Sequence, residues 1–169
     1  MRIYLPATVS LLRSLVETSE FGIPPVTAFA VTPALREWYV DDDLEALEYA
    51  ASNEAARASL RLLAVDPDAV PRRVVIAAEL PDAAVTVRDD LDRGVVRLAA
   101  PVPMGQIASV HVDDADAEPT VRAAAPEVDA ADLGDEQASD LVDDTEGYEL
   151  AWYATQEITA LLASLDGPG

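Results

Sequence analysis

The apolar half of this 169-residue chain is dominated by small side chains: 31 Ala and 19 Val stand against two Trp, two Phe and five Tyr. Alanine removes little apolar area from water on burial, so Leu, Val, Ile and the few aromatics must supply most of the driving force. The largest side chains are scarce, and their positions matter. The length fits one domain, 1–169, with room for a real core. An apolar content of 50% sets the chain apart from disordered sequences.

Periodicity divides the chain into alternating elements. RIYL (2–5) reads as a first strand, and Leu11, Leu12, Leu15 and Val16 fall at helical spacing over 7–19. Gly22 and Pro24-Pro25 close that helix, and VTAFAVT (26–32) is strand-like. Thr32-Pro33 has the form of an N-cap with Pro at the first helical position, opening a short helix through Trp38. Asp42 and Glu45, three apart, make an Asp-headed capping box before a helix over 43–64. Its expected buried stripe is Leu44, Leu47, Ala51, Ala55, Ala58 and Leu62.

RRVVIAAEL (72–80) reads as a central strand, apolar on both faces, and 84–87 with 94–99 as a hairpin. MGQIA suggests one helical turn, and SVHVD (109–113) a last short strand. Helices are expected near 117–125, 135–142 and 146–165, which makes 113–169 an acidic helical third. The fold class is α+β: a mixed sheet of five or six strands with helices packed against it. The opening βαβ is similar to half of a ferredoxin-like sandwich.

Charge is concentrated. Residues 113–149 hold 14 acids and only Arg122, a net of −13, whereas 1–112 hold 16 acids and 10 Arg, a net of −6. The whole chain carries −21, which repels nucleic-acid phosphates and anionic lipid surfaces alike. Direct nucleic-acid or membrane binding is not expected. MRIYLPATVSLL lacks the form of a signal peptide, because Pro6 interrupts its apolar run. No segment approaches the ~18 apolar residues needed to cross a bilayer. The expected location is the cytoplasm.

The reactive inventory is poor. Without Lys there is no Walker-type phosphate loop and no Schiff-base amine. The seven glycines form no G-x-G-x-x-G turn, and the absence of Cys excludes thiolate chemistry. A single histidine excludes every site needing two imidazoles. Carboxylate chemistry, arginine-based anion binding, or a hydroxyl served by His111 survive. No serine has the Gly-flanked turn of a hydrolase nucleophile.

One candidate metal site stands in SVHVDDAD. His111 and Asp113 are two apart on a strand, so they share a face, and Asp114 and Asp116 follow at its carboxyl end. An imidazole with two or three carboxylates can hold a divalent ion and activate water. The plain structural reading has the strand end there, with Asp114 or Asp116 capping a helix that carries Pro119 in its first turn. Four D-x-D pairs, at 41/43, 66/68, 90/92 and 114/116, are weak signals, since 19 Asp in 169 residues give about two by chance.

Two Trp-Tyr dipeptides, Trp38-Tyr39 and Trp152-Tyr153, are candidate interface anchors, with burial in or beside the core as the competing reading. Arg57 and Arg61 share a helix face with Glu54 and suggest a solvated ion-pair row. The acidic segment reads either as a solvated helical face or as a surface for a basic partner.

RIYLPAT (2–8), AVTPALREWY (30–39) with EYAA (48–51), VHVDDADAEP (110–119), DLGDE (132–136) and WYATQEI (152–158) together resemble a family of uncharacterised actinobacterial proteins, a domain of unknown function. The likeness spans nearly the whole chain. It implies a cytoplasmic protein from a GC-rich genome, in keeping with eleven Arg and no Lys, and it implies no activity, cofactor or catalytic residue.

Three functions follow. The leading one is a non-enzymatic binding or scaffold domain that engages a protein partner or a second copy, without a cofactor. Another is a metal-dependent hydrolase or transferase using His111 with Asp113, Asp114 or Asp116. The last is an acidic nucleic-acid mimic that binds a basic protein.

Overall fold

The computed structural model describes residues 1–39 and 43–166. Its elements run β1 (Arg2–Ala7), α1 (Val9–Thr18), β2 (Glu20–Phe21), β3 (Val26–Ala30), α2 (Pro33–Trp38), α3 (Leu44–Ala64), β4 (Val74–Glu79), β5 (Val85–Val87) and β6 (Val95–Leu98). They continue through β7 (Val102–Pro103), β8 (Ile107–Val112), α4 (Glu118–Ala124), α5 (Val128–Asp132), α6 (Glu136–Asp144), β9 (Ala151–Ala154) and α7 (Ile158–Asp166).

Local chemistry sets most of the boundaries. Thr8 caps α1 by accepting from the Leu11 N–H at 3.2 Å, and Thr32 caps α2 through Leu35 at 3.1 Å. The cap of α3 is Asp43, whose carboxylate accepts from Glu45 N–H at 3.1 Å; the expected Asp42 cap lies outside the described residues, as does Asp41 of the first D-x-D pair. After α1, Gly22 takes φ +97°, and a Cβ there would meet Val26 Cγ2 at 2.7 Å. Both the left-handed backbone and the close approach require glycine.

Seven strands form the main sheet in the order β5-β6-β3-β1-β4-β8-β9, every neighbouring pair antiparallel. The α+β class stands, with more strands than the five or six expected. β2 and β7 pair separately. Pro6 is tolerated in the interior strand β1 because pairing with β3 covers only Ile3 and Tyr4. The opening unit departs from a ferredoxin-like half: β3 lies directly beside β1 and antiparallel to it, leaving no place for an inserted strand.

The additional strand is β9, in a stretch expected to be helical from 146 to 165. Leu150 and Ala154 do have helical spacing with Ile158, but Ala151–Ala154 instead pair along β8, and the helix begins only at Ile158. Backbone pairing on the open edge of β8 prevails over the residues' helical period. β8 is therefore an interior strand, not the last one.

Each face of the sheet has its own helices. On one side Ile3, Leu5, Val74, Ile76 and Val110 pack with Leu12 and Leu15 of α1 and Ile158 and Leu162 of α7. On the other, Tyr4, Phe29, Val75 and Ala77 meet Ala51, Ala55 and Ala56 of α3. Alternation along β1 divides its side chains between the two. A third cluster joins Leu60 and Leu63 of α3 to Val121, Val128 and Val142 of α4–α6.

The stripe expected on α3 is corrected by this second contact. Leu47, Ala51 and Ala55 are buried, but Leu44 is exposed and Leu62 half-buried, while Leu60 and Leu63 are buried instead. Helices α4–α6 cover a face that periodicity alone assigned to solvent. Among the described residues no helix is long and apolar enough to cross a membrane.

Candidate functional site

Strand β8 and the turn after it carry the candidate metal ligands, and the fold disperses them. The Asp113 side chain is wholly buried and engaged by Arg73: Nε donates to Oδ2 and Nη2 to Oδ1, each at 2.8 Å. The Arg73 backbone N–H adds a third bond to Oδ2 at 2.8 Å. Asp114 precedes the 3-10 turn Ala115–Ala117 without a side-chain capping bond, and Asp116 is exposed within it. Pro119 lies in the first turn of α4, as the plain structural reading has it. His111 is half-buried and bonded elsewhere, with Ser109 Oγ 3.1 Å from its Nε2. Among the described residues no group of three or more His, Asp or Glu side chains is arranged to hold a metal.

The Ser109–His111 contact follows from strand alternation, which puts both on one face. Ser109 is itself 4% exposed, so its hydroxyl is closed to a substrate carbonyl. Burial lowers the His111 pKa below its ordinary 6.5, with the Arg2 charge acting in the same direction.

The aromatic dipeptides separate as well. Trp38 and Trp152 are 61% and 60% exposed, so neither is a core residue. Trp38 lies under the Arg93 guanidinium, 3.3 Å from ring centroid to Cζ, a cation–π contact that ties α2 to the β5–β6 connection. Tyr39 is exposed. Tyr153 packs against the core, pointing to the face opposite Trp152. Arg57 and Arg61, expected in a row with Glu54 along the helix, reach across to Asp132 of α5, at 2.8 and 2.7 Å.

What the fold does assemble is a cleft of about 600 Å³. Helix α3 supplies one wall through Glu45, Glu48, Tyr49, Ser52 and Asn53, positions that recur with helical spacing beside the buried stripe. The chain from α6 into β9 supplies the other through Glu146, Tyr148 and Glu149. Tyr4, Arg73 and His111 also line it. Three of the chain's five tyrosines thus converge on one place.

Buried contacts hold these walls. Arg73 Nη2 donates to the Tyr148 carbonyl at 2.8 Å, so the same guanidinium that binds Asp113 fixes the second wall to the sheet. Thr145 Oγ1 donates to the Val142 carbonyl at 2.6 Å just before it. Tyr4 donates to Glu48 Oε2 at 3.0 Å, linking the floor to α3. Burial, then the bond to Glu48 and its negative charge, push the Tyr4 phenol well above its ordinary pKa, so it remains a donor.

Sequence reasoning missed Tyr4, Tyr49, Tyr148, Glu48 and Glu149. Their positions read as the solvated face of the helix over 43–64, a residue of the first strand and the start of a helix expected over 146–165, and no spacing links segments so far apart in the chain.

A sequence model of a family described as Family of unknown function (DUF6912) matches residues 1–162. The chain belongs to that family. The DUF6912 match spans both cleft walls and the floor, so the cleft is built wholly within the family's own extent. No curated protein and no solved structure matches the chain.

Proposed function

We propose that this chain is a non-enzymatic binding domain of the cytoplasm that engages another protein through the cleft between α3 and the α6–β9 connection. The observation that carries the reading is the convergence of Tyr4, Tyr49 and Tyr148 on a concave site whose second wall is anchored by Arg73. Tyrosine is the residue of protein interfaces: it offers area and a polar tip while losing little conformational freedom. A wall already held in place spends less free energy on ordering when a partner arrives. The size lies within the range of ligand-binding clefts. Self-association is the weaker alternative, because two copies each bearing −21 repel one another.

The test is site-specific photocrosslinking in cells of the source organism. A crosslinking residue at Tyr49 should yield a discrete protein adduct, and one at Ile23, which is 90% exposed outside the cleft, should not. Adduct formation should vanish with Ser52→Trp, which fills the cleft from α3. An unchanged adduct in the filled variant, or none at Tyr49, would refute the reading.

A further inference from the structure

Resting on that reading of the cleft, we propose that its occupant is a cationic side chain, the guanidinium of an arginine or the ammonium of a lysine, presented by the partner between the tyrosines and glutamates of the two walls. Two independent features of the cavity point the same way. One is aromatic: Tyr4, Tyr49 and Tyr148 line a space that also contains carboxylates, and tyrosine rings and carboxylates both attract cations. The other is the state of the cleft's own arginines, which are committed elsewhere. Arg73 is occupied by Asp113 and the Tyr148 carbonyl, and Arg57 by Asp132.

The charge left facing the cavity is therefore negative. Glu48 is held in place by Tyr4, while Glu45, Glu146 and Glu149 have no ion-pair partner among the described residues. An anionic ligand meets repulsion from all four, and a neutral one covers Glu48 while leaving its charge unpaired, with only the Tyr4 hydroxyl bonded to it. A guanidinium satisfies a carboxylate with two parallel hydrogen bonds while lying against an aromatic ring, which an ammonium does less well. The cavity, at about 600 Å³, exceeds one such side chain, so backbone of the partner segment enters with it.

The experiment is an amide-resonance NMR titration of the full chain with acetyl-Gly-Arg-Gly-amide and with its citrulline counterpart, which has the same shape and no charge. The arginine peptide should shift resonances of 45–56 and 145–150 and saturate. The citrulline peptide should bind at least about tenfold more weakly, and raising salt from about 50 to 500 mM should weaken the arginine peptide alone. Glu149→Gln, at an exposed position where folding is not at risk, should weaken it about threefold or more, and Glu48→Gln likewise. Equal binding of the two peptides would overturn the cationic preference and leave the cleft as a binding site. Shifts confined to residues outside the cleft, or no binding of either peptide, would also overturn it, while the crosslink at Tyr49 judges the cleft separately.

Discussion

Arg73 and Asp113 show how much one pair of residues can decide. Their side chains are 5% and 0% exposed, and the guanidinium joins the start of β4, the end of β8 and the backbone at Tyr148. Burying two charges costs desolvation, which is offset here by a forked ion pair and additional hydrogen bonds from both partners. Removing one partner leaves the other charged and alone. Asp113→Ala should lower unfolding stability by about 3–5 kcal/mol in urea titration, while Arg73→Met combined with Asp113→Leu should regain most of the loss. A loss below about 1 kcal/mol in the single variant would show that the pair does not hold this junction. Ser59 does similar work on a smaller scale: fully buried in α3, its hydroxyl donates to the Ala7 carbonyl at 2.7 Å and accepts from Val74 N–H at 3.1 Å. One side chain thereby satisfies backbone groups of two neighbouring strands.

Among the elements, α3 has the most demanding position, because it packs the sheet on one side and α4–α6 on another. The sheet-facing contacts are alanines: Ala51 and Ala55, both wholly buried against Tyr4, Phe29 and Val75. Small residues let the helix approach closely, so the abundance of Ala has a structural use at this face. Enlarging one should force the layers apart. Ala55→Leu is expected to destabilise by about 1–3 kcal/mol, measured by the urea midpoint, despite adding apolar area. Leu44→Ala, at an exposed position on the same helix, should change stability by no more than about 0.5 kcal/mol. If both variants behaved alike, close packing at this layer would not be what holds α3 in place.

At the scale of the molecule, the acidic third is attached to the rest by arginines as well as by apolar contacts. Arg57 and Arg61 grip Asp132, and Arg72 reaches Glu118 at 3.0 Å and the Asp113 carbonyl at 3.2 Å. Acid unfolding has two windows, one set by His111 and one by Asp132. Burial lowers the His111 pKa, so the unfolded chain takes up that proton first as pH falls. Stability is then lost from near the ordinary value of 6.5 down to the folded one, and no further below it. Partial burial opposes ionisation of Asp132, but Arg57 and Arg61 hold its pKa below the ordinary carboxylate value. Its contribution is present above that value and is lost at lower pH, as the folded group protonates. Urea midpoints followed from neutral to acid pH should therefore fall in two stages. His111→Gln should remove the first stage and Asp132→Asn should reduce the second; a first stage that survives His111→Gln would assign it to another group.

Much of this was written locally. The cap at Thr32, the β5–β6 hairpin, the apolar run of β4 and the glycine at 22 each follow from a residue's own backbone preference or from its immediate neighbours, and such preferences act before any tertiary contact forms. The exclusion of thiolate, Schiff-base and two-imidazole chemistry follows from residue inventory alone. Only the folded chain decided that Ala151–Ala154 is a strand, that Leu60 and Leu63 are buried, and that Asp113 belongs to Arg73 instead of to a metal site with His111. It also brought Tyr4, Tyr49 and Tyr148 together. In each case the deciding partner lies tens of residues away, on an open sheet edge, a covering helix or a buried guanidinium, and periodicity within one segment carries no information about what will come to rest against it.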